Sequence, residues 1–302
     1  PNGEKAIQKG LDRIREIESL MSANLPSSQI SKLNQNAGKG PVKLNRDVFY
    51  VLERAKHYAE LTGGAFDPTI EPVVKLWGIG TDKARVPAKS ELEAARKLVD
   101  YKDLILDPSS LSASLRRPGM GVDLGAIAKG YAADEVARIF KEEGVESAYV
   151  DIGGNVLVIG TKPDGRPWRV AIQDPRGERG LYIAVIPAQD EAIVTSGDYE
   201  RYFEKDGKRY HHIFDPKTGR PSTSGVISAT IVSKSSIDAD ALSTGVFVLG
   251  PTKGMDLIES LPGVEGVIVT EDFGVLLSSG LKGRITLTGK VHPYREAPEG
   301  RR

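Results

Sequence analysis

At 302 residues the chain is long enough for one large domain or two ordinary ones. Its 41 basic and 41 acidic residues cancel to a formal net charge of +0, so bulk electrostatics favour no nucleic acid, and its aromatics do not interleave with basic patches. The absence of cysteine excludes thiolate nucleophiles, disulfides and Cys-ligated metals, and no apolar run approaches the ~20 residues of a membrane-spanning helix.

The sequence opens on Pro1 with a helix almost at once, as expected of a chain that starts within a longer natural one. A missing leader therefore does not point to the cytosol. Ile7, Leu11, Ile14, Ile17, Leu20 and Met21 form one stripe and predict an amphipathic helix over 4–21. Small and polar residues from Met21 to Asn34 then predict a connector and a short capped helix, or a polar binding loop. A second helix is expected over 47–62, stopped by Gly63-Gly64, with Asp67-Pro68 starting a turn beyond it. Ser90 to Glu93 reads as a capping box opening a third helix that ends near Val99. Leu104–Leu106 and Leu111–Leu115 read as short strands, and Arg116–Gly119 as a turn.

The stretch Val122–Asp134 is the centre around which the rest of the chain is organised. A short approach carrying Asp123 runs through Gly125-Ala126 into a helix bearing Lys129, with apolar Ile127, Val136, Ile139 and Phe140 at helical spacing. A helix start with free N–H groups and a nearby lysine suits an anion. Beyond it, 148–159 reads as strand, double glycine, strand; Gly153-Gly154 means a bulge, a tight turn or a close backbone approach. Strands are expected at 168–173, 181–187 and 191–195, and runs 198–204 and 208–214 flank Lys205-Asp206-Gly207 as a hairpin.

That hairpin delivers His211 and His212, half of the chain's four histidines. Neighbours on a strand face opposite ways, so one is expected to be buried or functional and the other solvated, and a paired-His metal site is not expected. A β-branched strand over 226–233 precedes a helix opened by Ser236. Asp240 and Thr244 lie four apart on one face of that helix, two hard oxygen donors of the kind that suit Mg²⁺ or Ca²⁺. The bland alternative is a carboxylate placed for the helix dipole. A helix at 253–261 and strands at 265–269, 274–278 and 283–287 follow, and Pro, Glu and Arg from Val291 onward predict a disordered tail.

Five stretches, in order, resemble the ApbE-like flavin transferases, enzymes that cleave FAD and attach FMN to a target protein. They are Met21–Asn34, Gly64–Thr69 (GAFDPT), Asp123–Asp134 (DLGAIAKGYAAD), Thr195–Arg201 with His212–Pro221 (TSGDYER and HIFDPKTGRP), and Asp238–Gly250 (DADALSTGVFVLG). The resemblance implies an α+β, T-fold-like, two-part architecture with the flavin site in the cleft between the parts. The division expected is a mainly helical part over 1–120, a mixed part over 121–290 and the tail over 291–302.

The resemblance also implies roles. Ala65, Phe66 and Asp67 would line the FAD site, with Asp123 and Lys129 near the dinucleotide, Asn24 beside the isoalloxazine and Phe214 in the wall around the flavin nucleotide. Ala126, through its backbone carbonyl, would bind Mg²⁺ together with Asp240, Thr244 and Ser243. A Thr or Ser hydroxyl of an acceptor protein would attack the FMN-side phosphorus, with AMP leaving. His212 is the expected base, since a histidine titrates near neutrality, and Asp240 or Asp215 are placed to share that work.

Family members normally carry a strand with a Met-Gly-Thr or Asp-Thr motif before the first helix. No such motif precedes the first helix in this sequence, so the segment is absent or lies outside it; without it, weaker FAD binding and a lost edge strand are expected. An extracytoplasmic place, held at the membrane by a lipid anchor outside this sequence, is likewise implied by family. No D-x-x-S/T-G-A-T motif occurs, so self-flavinylation is not expected. Two other functions share these residues: a metal-dependent FAD pyrophosphatase releasing FMN and AMP, and a non-catalytic FAD-binding or storage protein. A dinucleotide-type oxidoreductase is disfavoured, because no G-x-G-x-x-G stands at Asp123–Gly130.

Overall fold

The computed structural model describes residues 3–288 and 294–296. Helix α1 spans Gly3–Met21. Ser28 caps α2 (Gln29–Gln35), its Oγ accepting the Ser31 N–H at 2.9 Å. After β1 (Val42–Lys43), Asn45 caps α3 (Arg46–Leu61) in the same way through the Asp47 N–H at 2.7 Å. Gly63 and Gly64 stop that helix, both in the left-handed region.

The turn expected at Asp67-Pro68 runs on into an unpredicted helix, α4 (Glu71–Trp77). Pro72 sits in its first turn, where no N–H is needed. Helix α5 (Lys89–Arg96) starts earlier than the predicted capping box, and only half a box forms. Its N-cap is Ala88, which offers no side-chain acceptor, while the Glu91 carboxylate accepts the Ala88 N–H at 2.8 Å. Strands β2 (Leu104–Asp107) and β3 (Ser112–Leu115) follow as predicted.

Helix α6 spans Ala128–Glu142. The double glycine resolves as a tight turn: Gly153 (φ 58°) and Gly154 (φ 93°) join β4 (Ala148–Ile152) directly to β5 (Asn155–Ile159). Strands β6 (Trp168–Gln173), β7 (Tyr182–Ala188) and β8 (Glu191–Gly197) come next. The predicted hairpin is real but shorter, β9 (Tyr202–Lys205) and β10 (Lys208–His211), followed by a two-residue pair, β11 (Phe214–Asp215) with β12 (Arg220–Pro221). Strand β13 (Val226–Ser233) leads to α7 (Ser236–Leu249), α8 (Pro251–Ser260), β14 (Glu265–Thr270), β15 (Gly274–Leu277) and β16 (Thr286–Leu287), the last much shorter than the run predicted.

Within the stretch predicted as a disordered tail, Arg295–Glu296 form β17, parallel to β15. The Tyr294 hydroxyl donates to Asp174 Oδ1 at 2.6 Å, and its ring stands edge-on to Phe273. Those contacts anchor a segment whose composition alone reads as solvated. The rest of 291–302 lies outside the described residues.

The chain forms two compact units, and neither follows the expected division near residue 120. One comprises Pro1–Ile14, Lys129–Tyr199 and Thr223–Arg302; the other Arg15–Ala128 and Glu200–Ser222. The first is built on a seven-stranded sheet, β17-β15-β14-β13-β8-β5-β4, and a three-stranded sheet, β16-β7-β6. Val156, Val158, Ile172, Ile186, Ile193, Val232 and Val267 pack between the two sheets. Helix α7 packs on β13 and β8. With both faces covered, β13 is buried at every residue, which explains its unbroken apolar and small composition.

The second unit holds the sheet β1-β3-β2 and helices α2 to α5. Its cluster of Val73, Trp77, Ile79, Leu92 and Phe214 draws on both of its chain segments. Among the described residues, no helix is long and apolar enough to cross a membrane.

Candidate active site

In the first unit, α6 and α7 touch at a glycine. A Cβ at Gly130 would stand 2.3 Å from the Ser236 carbonyl oxygen and 2.7 Å from Asp240 Cβ, so only glycine allows this approach. The Gly130 N–H is thereby brought to Asp240 Oδ2, donating at 2.8 Å. That N–H would serve the carbonyl of Ala126, four residues back, if the helix began earlier. Given to Asp240, it leaves the Ala126 carbonyl outside the helical ladder in the turn before α6.

Asp240 is 4 % exposed. Burial pushes its carboxyl pKa up, against the pull of the Lys129 charge, the Asn155 amide and the Gly130 N–H. An ionised carboxylate so placed is stabilised by a cation. One turn on, Ser196 Oγ from β8 links Ser243 Oγ (2.8 Å) and Thr244 Oγ1 (3.2 Å). The Ser243 hydroxyl is fully buried and also donates to the Asp240 carbonyl at 2.9 Å, so it is occupied in building the helix. Thr244 is partly exposed.

These oxygens are hard donors with a single carboxylate. Among the described residues no group of three or more His, Asp or Glu has the arrangement of a metal centre. The donor set therefore fits Mg²⁺, which keeps several waters and needs few protein ligands, better than zinc. Two residues that sequence reasoning left without a role belong to this cluster, Ser196 and Asn155. A third, Asp134, accepts the Ser236 and Ile237 N–H groups at 2.8 and 2.9 Å and so caps α7. Its capping role was legible only as the last letter of a motif.

The remaining predicted residues, apart from Lys129, lie in the second unit. Asp67 is buried, with Oδ1 accepting the Thr69 N–H and hydroxyl at 2.8 and 2.6 Å, and Oδ2 accepting the Tyr101 N–H at 3.0 Å. Burial outweighs those bonds and raises its pKa to about 6. Asp67 thus organises its own loop. Ala65 and Phe66 are buried beside it, the Phe66 N–H donating to Thr62 Oγ1 at 3.0 Å. Asp123 closes the turn ahead of α6, accepting the Gly125 N–H at 2.7 Å while its own N–H donates to the Pro68 carbonyl at 2.9 Å. The second of these bonds ties the Gly64–Thr69 motif to the start of the Asp123–Asp134 motif.

Asn24 is exposed. Phe214 is 6 % exposed with its ring 6.0 Å from that of Trp77, so most of its surface goes to the unit's core rather than to a ligand wall. His211 is buried, its Nε2 on the Ser222 carbonyl at 3.0 Å and its Nδ1 accepting the Ile213 N–H. His212 just follows β10, with Nδ1 3.1 Å from the Arg201 carbonyl. A carbonyl only accepts, so His212 Nδ1 carries the proton and Nε2 is the basic nitrogen of the neutral ring. The predicted split between the two histidines holds.

A family model described as the ApbE family matches residues 3–268. A curated FAD:protein FMN transferase of Treponema pallidum is 40% identical over 293 aligned residues, which cover 93% of this chain and 81% of that protein. One from Klebsiella pneumoniae is 37% identical, covering 88% and 82%. Among solved structures, the ApbE protein of Thermotoga maritima superposes with a TM-score of 0.88 at 35% identity, covering 94% and 92% of the two chains. The flavin transferase ApbE of Vibrio cholerae gives 0.84 at 33% identity, covering 94% and 91%.

Proposed function

The chain belongs to the ApbE family, and from that premise we propose that it is a Mg²⁺-dependent FAD:protein FMN transferase acting on a Thr or Ser hydroxyl of an acceptor protein. The observation that carries the reading lies in the second and third turns of α7. There a buried Asp240 is held by a backbone N–H and stands one turn from a partly exposed Thr244, among hydroxyls.

In this reaction the acceptor oxygen bonds to the FMN-side phosphorus, the bond from that phosphorus to the bridging oxygen breaks, and AMP leaves with the electron pair. Mg²⁺, when bound, neutralises charge building on the diphosphate. Asp240 and Thr244 are the side chains proposed to hold it, with the Ala126 carbonyl, freed from the helical ladder, as the family's further ligand. Ser243 contributes by fixing the Asp240 turn. Lys129, exposed at the start of α6, supplies positive charge for a phosphate. His212 Nε2 takes the acceptor hydroxyl proton, and the Arg201 carbonyl fixes the tautomer that permits it. Asp67 keeps the Gly64–Thr69 loop in shape for the flavin nucleotide.

The test is to incubate the protein with FAD, Mg²⁺ and an acceptor domain bearing the D-x-x-S/T-G-A-T motif. Intact mass and nucleotide chromatography resolve the products, with EDTA as control. An acceptor mass gain matching FMN, with AMP released and EDTA blocking both, is expected. Free FMN and AMP with an unmodified acceptor overturns the transferase reading in favour of a pyrophosphatase; uncleaved bound FAD overturns it in favour of a carrier.

A further inference from the structure

Asn155 opens β5 immediately after the Gly153-Gly154 turn, paired with Ile152 of β4 on one side and Val194 of β8 on the other. Its Cα is therefore fixed inside the sheet. Val156 and Val158 point into the core between the two sheets, so alternation turns Asn155 to the opposite face, the one α7 also contacts. There it is 1 % exposed, and its Nδ2 has no hydrogen-bond partner. A buried amide donor left unmet is rare and calls for an explanation.

The neighbour is Asp240. Val194, the partner of Asn155 on β8, shares a face with Ser196, whose Oγ meets Ser243 and Thr244. Asn155 therefore lies where α7 covers the sheet near the turn of Asp240. Its amide favours the ionised carboxylate, although Nδ2 makes no full hydrogen bond. The other carboxylate oxygen, Oδ2, already accepts the Gly130 N–H. One oxygen is thus held by backbone, while the buried Nδ2 of Asn155 has no partner of its own. An aliphatic side chain of this size would fill the position without that unmet donor, so local packing does not account for an amide here.

Resting on the Mg²⁺ reading above, we propose that Asn155 is a positioning residue for Asp240: its Nδ2–H closes onto the carboxylate when a divalent cation binds. Gly130 and Asn155 then fix the rotation of the Asp240 carboxylate, and its remaining lone pairs face the cation. Partners of this kind set ligand orientation and typically change metal affinity 10–100-fold when removed.

A role confined to the cation predicts opposite signs for two measurements. Asn155→Leu removes an unmet buried donor, so the melting temperature without metal stays level or rises. Affinity for Mn²⁺, followed by the loss of free-ion electron paramagnetic resonance signal with the protein alone and with excess FMN, falls ~10-fold or more. Asn155→Ser keeps a hydroxyl donor and loses less, which also guards against a misfolded leucine variant. Asp240→Ala abolishes the Mn²⁺ site in the same titration. If both Asn155 variants bind Mn²⁺ as the wild type does while Asp240→Ala does not, this inference fails and the metal reading stands. If wild type binds no Mn²⁺, or Asp240→Ala binds it unchanged, the metal reading fails and takes the inference with it.

Discussion

Asp134 Oδ1 accepts the Ser236 N–H at 2.8 Å and Oδ2 the Ile237 N–H at 2.9 Å, so a carboxylate of α6 caps the helix that carries Asp240 and Thr244. The helix's own N-cap, Ser235, accepts the Asp238 N–H at a long 3.4 Å, and its hydroxyl donates to Asp134 Oδ2 at 3.5 Å. The first turn of α7 thus depends on a residue from a different helix. This clamp and the glycine contact at position 130 together set the distance from α6 to the proposed metal ligands.

Asp134→Ala should cost about 1–2 kcal/mol, the usual worth of an N-cap carboxylate that leaves buried N–H groups unmet when removed. Urea unfolding measures this. Fraying of the α7 start should also weaken Mn²⁺ binding at Asp240. A variant with wild-type stability and wild-type Mn²⁺ affinity contradicts the clamp.

Gly130→Ala tests the helix contact from the other side. The added Cβ meets the Ser236 carbonyl oxygen and the backbone Cα of Ile237, atoms that move only if α7 moves. Overpacking of this kind costs ~1–3 kcal/mol, and here the alanine's higher helix propensity offsets up to ~1 kcal/mol of it. The diagnostic result is a lowered melting temperature together with lost cation dependence, since displacing α7 also takes the Gly130 N–H away from Asp240. Higher stability, as propensity alone predicts, means the two helices are not in contact.

The parts of the fold read most directly from sequence are those fixed by neighbours in the chain. The i, i+4 placing of Asp240 and Thr244 on α7 is helical geometry, and the Asp206-Gly207 hairpin is turn chemistry; both stand as read. What was missed was decided at long range. Glu71–Trp77 carries Pro72 and follows Asp67-Pro68, so it reads as a turn; its helix is held by burial of Trp77, whose Nε1 donates to Gly219 O, 142 residues away. The same long return, Glu200–Ser222 rejoining the unit of Arg15–Ala128, defeats any boundary placed at one point along the chain. Asn155 reads as the first residue of a strand; only the sheet register and burial show that it is enclosed on the α7 side of the sheet. Phe214, given a place in the flavin wall by resemblance, packs with Trp77 in the core cluster of its unit, a contact far along the chain that its local sequence does not announce.

Asp67 predicts a pH dependence of stability. Its carboxyl pKa is raised by burial to about 6 from an unfolded value of 3.8, so between those values the folded chain binds more protons than the unfolded one. Stability from this group is fully present below pH ~4 and is lost as pH rises through about 6, by at most about 1.4 kcal/mol per pH unit. Asp134, also raised to about 6 by burial, acts in the same window with the same sign. Asp67→Asn should flatten part of this slope between pH 4 and 6 in urea midpoints. It should also destabilise the chain at neutral pH, because an amide nitrogen cannot accept the Tyr101 N–H. An unchanged slope in the variant removes Asp67 as its source.

His212 gives the sharpest kinetic prediction. Its Nδ1 is committed to the Arg201 carbonyl, which orients the ring and leaves Nε2 as the proton acceptor. His212→Gln keeps a polar side chain near that carbonyl but supplies no base, and should lower kcat for FMN transfer 10²- to 10⁴-fold. The KM for FAD should change little, because the loss falls on a step made only in the transition state. The informative readout is the pH profile: base catalysis by a side chain gives wild-type transfer a pH dependence that the glutamine variant, which supplies no base, loses. A residue that served only to anchor the turn after β10 would instead raise KM and leave the shape of the profile intact. That result would move the base to another group, with Asp240 and Asp215 next to be examined by the same pair of measurements.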